Sequence, residues 1–195
     1  MDSRATREWT LTEAARLLGE PQHRLIYLCE KGVVQPDLED AKGRGSSRRF
    51  SAHNLLDFAI ALRLRVLEIP APFIGAITYT LRVFEHKVQQ QVTDFCLPYS
   101  LRGPGAPDLS VLIEDGRLYL TLGTGKNRPK VYGGVDLKKL AREKKSAGDL
   151  QRALVLHTPS ERKLGHGGNG DLGDGSGARV ALSVTRIAQE LRLEV

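Results

Sequence analysis

Thr10-Leu11-Thr12-Glu13-Ala14-Ala15-Arg16-Leu17-Leu18-Gly19-Glu20-Pro21-Gln22-His23-Arg24-Leu25-Ile26-Tyr27-Leu28-Cys29-Glu30-Lys31-Gly32 is the stretch that decides the N-terminal fold, because it carries the punctuation of two short helices. Thr10 is placed to cap the first, and Glu13, three residues on, completes a capping box. Ala14, Leu17 and Leu18 recur at helical spacing and form an apolar stripe. Gly19 suits the left-handed residue that closes a helix, and Pro21 suits the first turn of the next, where a missing N–H costs little. The pattern predicts helix, tight turn, helix. Leu25 and Leu28 bury the second helix against the first, which leaves Gln22, His23 and Arg24 at its exposed N-terminal end. That end is where recognition helices meet bases.

Working outward, Gly32 ends the second helix, Val33 and Val34 predict a short strand, and Pro36 to Ser47 is a polar loop. It leads through Lys42-Gly43-Arg44-Gly45-Ser46-Ser47-Arg48-Arg49-Phe50, where Lys42, Arg44, Arg48 and Arg49 place four cations within eight residues. Glycines let a backbone approach a phosphate closely, and the serines add donors. Asp37, Glu39 and Asp40 lie just upstream, so the positive field belongs to the tip of this candidate wing. A solvated basic loop has the same composition; the position after two helices favours phosphate contact. Ser51 then caps a third helix through Leu67, with apolar positions Leu55, Leu56, Ala59, Ile60, Leu62 and Val66. Pro70 and Pro72 stop it. A fourth helix from about Phe73 carries Ile74, Ile77, Leu81, Phe84 and Val88, a stripe that fits packing or dimerisation.

Beyond Pro98 the pattern changes to loops and strands. Asp115-Gly116 between Leu109–Ile113 and Leu118–Leu122 is a hairpin signal. Lys130 to Tyr132 predicts a further strand, Asp136 a cap for a basic helix to Lys145, and Arg152 to His157 another strand. Leu164 to Ala178 is glycine-rich and reads as a mobile loop, followed by a strand Val180 to Val184 and a helix Thr185 to Leu191. The expected fold class is therefore α+β. Its divisions are an N-terminal helix-turn-helix unit (1–70), a linking or dimerisation helix (71–97) and a small C-terminal α+β module (98–195) with a flexible loop at 164–178.

Of the 195 residues, 41% are hydrophobic and 27% charged, and no apolar run approaches the roughly 20 residues of a membrane span. The first residues lack the apolar core of a signal peptide, which implies a cytoplasmic protein with no membrane partner. Cys29 and Cys96 are too few for a disulfide framework and are not clustered as structural zinc ligands are. A formal net charge of +6 favours a polyanionic partner, since each neutralised phosphate releases counterions.

Tyr27 near the end of the second helix, Gly32-Val33-Val34 after it, and Gly43-Arg44-Gly45-Ser46-Ser47-Arg48-Arg49-Phe50-Ser51 before the third helix resemble the MerR family of regulators, over about residues 9 to 85. The resemblance implies a winged helix-turn-helix that acts as a homodimer on inverted-repeat double-stranded DNA, nucleoid-associated in the cytoplasm. It also implies Gln22, His23 and Arg24 as groove-facing residues, Tyr27 as a phosphate-contacting phenol, and Arg44, Arg48 and Arg49 as wing contacts. The chain departs from the family pattern at Ile26, where an arginine is usual beside the tyrosine, and at Leu28, which replaces a second aromatic. One common phosphate contact is thus missing. Without the resemblance, His23 and Arg24 read as a charged surface turn and Tyr27 as core packing with its hydroxyl at the edge.

Signals of catalysis fail on inspection. Gly123-Thr124-Gly125-Lys126-Asn127 lacks the leading glycine and final hydroxyl of a phosphate loop, and Gly167-Gly168-Asn169-Gly170-Asp171-Leu172 is one copy of an incomplete calcium repeat. His86, His157 and His166 have no metal-ligand spacing, and Cys96, just past the fourth helix, has only the distant Cys29 as a second sulfur. The expectation is a DNA-binding transcriptional regulator, not an enzyme, without metal or other cofactor, whose C-terminal module assembles subunits or senses an unidentified effector. The alternative is an architectural or adaptor protein that uses the same fold to coat DNA or dock a protein.

Overall fold

The computed structural model describes residues 7–37, 48–125, 128–143, 146–157, 179–191 and 193. The fold is α+β, with two antiparallel sheets. The first has only two strands, β1 (Trp9–Thr10) and β2 (Arg49–Phe50), with Trp9 opposite Phe50 and Thr10 opposite Arg49. Between them lie α1 (Leu11–Leu18) and α2 (Gln22–Glu30). Thr10 ends β1 and caps α1: its Oγ1 accepts from the Glu13 N–H, while a Glu13 carboxylate oxygen accepts from the Thr10 N–H at 2.7 Å. Gly19 closes α1 at φ +67, and Leu25 and Leu28 bury α2 as expected. Pro21 sits one residue earlier than expected, as the N-cap of α2.

Val33 and Val34 do not form a strand. Their N–H groups both donate to the Leu28 carbonyl, closing the C-terminus of α2, and both side chains are buried. The ladder they were expected to supply is made by β1 instead.

Ser51 caps α3 (Ala52–Val66). Its buried face includes Leu55, Leu56, Phe58, Ile60, Ala61 and Leu64; Ala59 and Leu62 are half-buried, and Val66 is 81% exposed, which corrects its place in the expected stripe. Past Leu64 the end of α3 runs clear of the core. The next helix, α4 (Ala71–Gln89), buries Ile74, Ile77, Leu81, Phe84 and Val88 as the periodicity predicts.

The second sheet has the order β6-β5-β4-β3-β7, built from β3 (Asp108–Glu114), β4 (Arg117–Gly123), β5 (Lys130–Asp136), β6 (Leu156–His157) and β7 (Arg179–Ser183). Asp115 (φ +49) and Gly116 (φ +72) make the two-residue turn between β3 and β4. Asp136 caps α5 (Leu137–Arg142), which stops short of Lys145. The segment expected as one strand from Arg152 is instead the end of α6 (Ala147–Ala153) followed by the short β6. After β7 comes α7 (Val184–Glu190), whose Thr185 Oγ1 accepts from the Leu109 N–H and donates to the Pro107 carbonyl. The glycine-rich loop at 164–178 lies outside the described residues.

One continuous core runs from Trp9 to Leu193 and includes both α4 and the sheet face carrying Leu109, Val111, Leu118 and Leu120. Helices α5 and α6 pack on α4, and Phe84 meets Tyr132 edge-on with ring centroids 5.0 Å apart. The stripe of α4 is thus covered within the chain, by α3 on one side and by α5 and α6 on the other. A smaller cluster of Leu112, Tyr119 and Val131 forms on alternate residues of β3, β4 and β5. No helix among the described residues is long and apolar enough to cross a membrane.

Candidate nucleic-acid interface

The ends of the segment 38–47 are held by one hydrogen-bond network. Asn54, fully buried in the first turn of α3, accepts from the N–H groups of both Asp37 (2.9 Å) and Ser51 (3.2 Å) and donates to the Gln35 carbonyl (2.8 Å). The Ser51 hydroxyl donates to Asp37 at 2.6 Å. Arg82 of α4 then joins Asp37 to Asp57 of α3, with Nη1 2.9 Å from Asp37 Oδ1 and Nη2 2.5 Å from Asp57 Oδ2. Burial pushes the Asp57 carboxyl up to about 6, against the pull of Arg82. The segment 38–47, with Lys42 and Arg44, lies outside the described residues.

Arg48 and Arg49 follow that segment in sequence, both half-buried. Arg48 lines a depression of about 340 Å³ beside Gly32, Val34 and Pro36, at the C-terminal end of α2. Arg49 is in the β1–β2 ladder, and its positive charge helps hold the Glu13 carboxyl low, after the larger effect of the Thr10 hydrogen bonds.

At the other end of α2, Gln22, His23 and Arg24 are all exposed. Pro21 gives the helix no side-chain cap, and the Arg24 N–H donates to the Pro21 carbonyl at 3.1 Å, so the partial positive charge of the helix start is not met by a side-chain acceptor from the cap. Gln22 Nε2 donates to Thr12 Oγ1 at 3.2 Å, tying it to α1. Arg24 pairs with Glu20 at 2.9 Å. His23, Arg24 and Tyr27 converge on a groove of about 440 Å³ whose far wall is Leu62, Arg65 and Val66 of α3. Tyr27 has two cations over its ring: Lys31 Nζ at 5.7 Å and Arg65 Cζ at 5.8 Å from the centroid.

Three of the expected contact residues, His23, Arg24 and Tyr27, therefore share one groove, while Gln22 turns to α1 and Arg48 and Arg49 belong to neighbouring surfaces. Arg65 and Lys31 were not anticipated. The signal available was the pair of cations Arg63 and Arg65 at the end of α3. A separate cluster, His53, Glu85 and Cys96, also escaped the sequence reading. No protein-family model matches this chain, and no curated protein is significantly similar to it.

Proposed function

We propose that this protein binds double-stranded DNA through a winged helix-turn-helix of the MerR type, with α2 in the major groove and the basic segment before β2 on the flanking backbone, and that it regulates transcription. The observation that carries the reading is the groove where His23, Arg24, Tyr27 and Arg65 meet beside the uncapped start of α2. Cations around an exposed phenol offer the charge-assisted donors that phosphate oxygens accept, and exposed polar side chains at a helix start suit base edges. Arg65, reaching Tyr27 from α3, supplies a cation where the family pattern's arginine is replaced by Ile26.

Because α4 is covered within one chain, a dimer on an inverted repeat needs another surface. The exposed Leu67, outside the groove, is available, and so is the C-terminal half. The discriminating experiment is footprinting of the intact protein on genomic fragments. A regulator protects one short site, and His23→Ala or Arg24→Ala changes which sequence is preferred. Extended protection that grows with protein concentration would transfer the reading to an architectural protein, and no protection of any duplex would remove it.

A further inference from the structure

His53 of α3, Glu85 of α4 and Cys96, in the segment after α4, bring an imidazole nitrogen, a carboxylate and a thiol to within 4.8 Å of one another. The DNA-binding reading uses none of the three. Glu85 is an acid in the core, 5% exposed, and it is fixed from two sides. Its Oε1 accepts from the Leu97 N–H at 2.7 Å, and its two oxygens lie 2.9 and 3.0 Å from His53 Nε2. Cys96 is held by its own N–H, which donates to Ser100 Oγ at 2.8 Å, and is not in a disulfide.

A structural His–Glu pair accounts for two of these groups. The Cys96 thiol donates to the Leu97 carbonyl at 3.7 Å within its own segment, and neither that local contact nor the His–Glu pair requires a sulfur at the point where the other two groups meet. Nitrogen, oxygen and sulfur donors converging at one point are the chemistry of zinc-class cations; magnesium and calcium select oxygen alone. With metal–ligand bonds of about 2.0–2.3 Å, tetrahedral ligand atoms stand about 3.3–3.8 Å apart. The His53–Glu85 pair stands slightly inside that spacing and the whole cluster within 4.8 Å, so side-chain adjustments of up to about 1 Å seat an ion. His53 and Cys96 are half-buried, which leaves a route of entry.

We propose that His53, Glu85 and Cys96 form a three-ligand site for a zinc-class divalent cation, with water in the fourth position. The bound ion ties α3 and α4 to the segment that leads into the C-terminal half. The inference is independent of DNA binding and is tested without it.

Cobalt(II) alone, titrated into the reduced intact protein, is the probe. The expected result is saturation at one cobalt per chain, with the intense visible bands of a tetrahedral site and a near-ultraviolet thiolate-to-cobalt charge-transfer band. Cys96→Ser abolishes the charge-transfer band, Cys29→Ser leaves it, and His53→Gln weakens binding tenfold or more. These variants touch half-buried positions, and circular dichroism checks that each is folded; Glu85→Gln, in the core, is not needed. Weak octahedral spectra alone, a charge-transfer band that survives Cys96→Ser, or unchanged affinity in folded His53→Gln would each overturn the proposal.

Discussion

Arg65 of α3 stands over the ring of Tyr27 of α2, its Cζ 5.8 Å from the ring centroid, and so holds a cation at the phenol from a different helix. A contact of this kind at an exposed site contributes about 0.5–1 kcal/mol. Its larger consequence is placement: both residues line the same groove, with the Arg65 guanidinium also donating to the Ile69 carbonyl at 3.2 Å. Tyr27→Phe keeps the ring and loses the donor, so duplex affinity should fall by about tenfold while melting temperature and sequence preference stay unchanged. Fluorescence anisotropy on two unrelated duplexes measures this. A change of preference between the duplexes would show that Tyr27 reads bases instead.

Glu20 is an anion beside the groove, paired with Arg24 through an exposed contact that adds little stability. A DNA phosphate competes for the same guanidinium and is repelled by the same carboxylate. Glu20→Gln should therefore tighten binding at low salt by about two- to threefold, with the gain shrinking as salt rises. Weaker binding would mean that Glu20 serves to orient Arg24.

Gly133 sits at φ +115 where β5 slips register against β4 between Leu118 and Tyr119. A Cβ there would meet the Leu118 carbonyl oxygen at 2.7 Å, a backbone atom that cannot swing aside. Gly133→Ala should cost on the order of 2 kcal/mol or more, read as a lowered thermal midpoint. Gly148→Ala, at a helical position where an added Cβ meets nothing within 4 Å, is the control and should be neutral or slightly stabilising.

Asp57 links pH to stability. Burial raises its carboxyl from an ordinary 3.8 to about 6, so the folded state holds the proton more tightly than the unfolded chain. Its contribution is complete below the unfolded value and is lost as pH rises through about 6. The unfolding free energy of the wild type minus that of Asp57→Asn should accordingly fall between pH 4 and pH 7, followed by urea titration at each pH. A difference that rises over this range would mean that the Arg82 pairing outweighs burial.

Local chemistry was legible in the sequence where neighbours decide it. Thr10 with Glu13, Gly19, Ser51 and Asp115-Gly116 each act within a few residues, and the α4 stripe follows from spacing alone. What escaped depends on distant partners. Trp9–Thr10 is a strand only because Arg49–Phe50 lies beside it, and β7 joins the sheet next to β3, far away in sequence. Val33 and Val34 have strand-like side chains, but their N–H groups are taken by Leu28. Val66 keeps the helical period while the core has already ended. At the interface, His23, Arg24 and Tyr27 were visible because they share α2, whereas Arg65 comes from α3 and His53, Glu85 and Cys96 come from three segments with no common spacing.

Salt dependence tests the central claim most directly, because phosphate neutralisation by the groove and the basic segment sets its slope. Anisotropy titrations of the intact protein on a fixed duplex, repeated across salt concentrations, should give a log affinity that falls linearly with log salt, by about 0.9 per phosphate neutralised. The Arg44→Ala/Arg48→Ala double variant, which spares Arg49 in the β1–β2 ladder, should reduce that slope by about 2. A slope near zero for the wild type, or one unaltered by the double variant, would contradict the account.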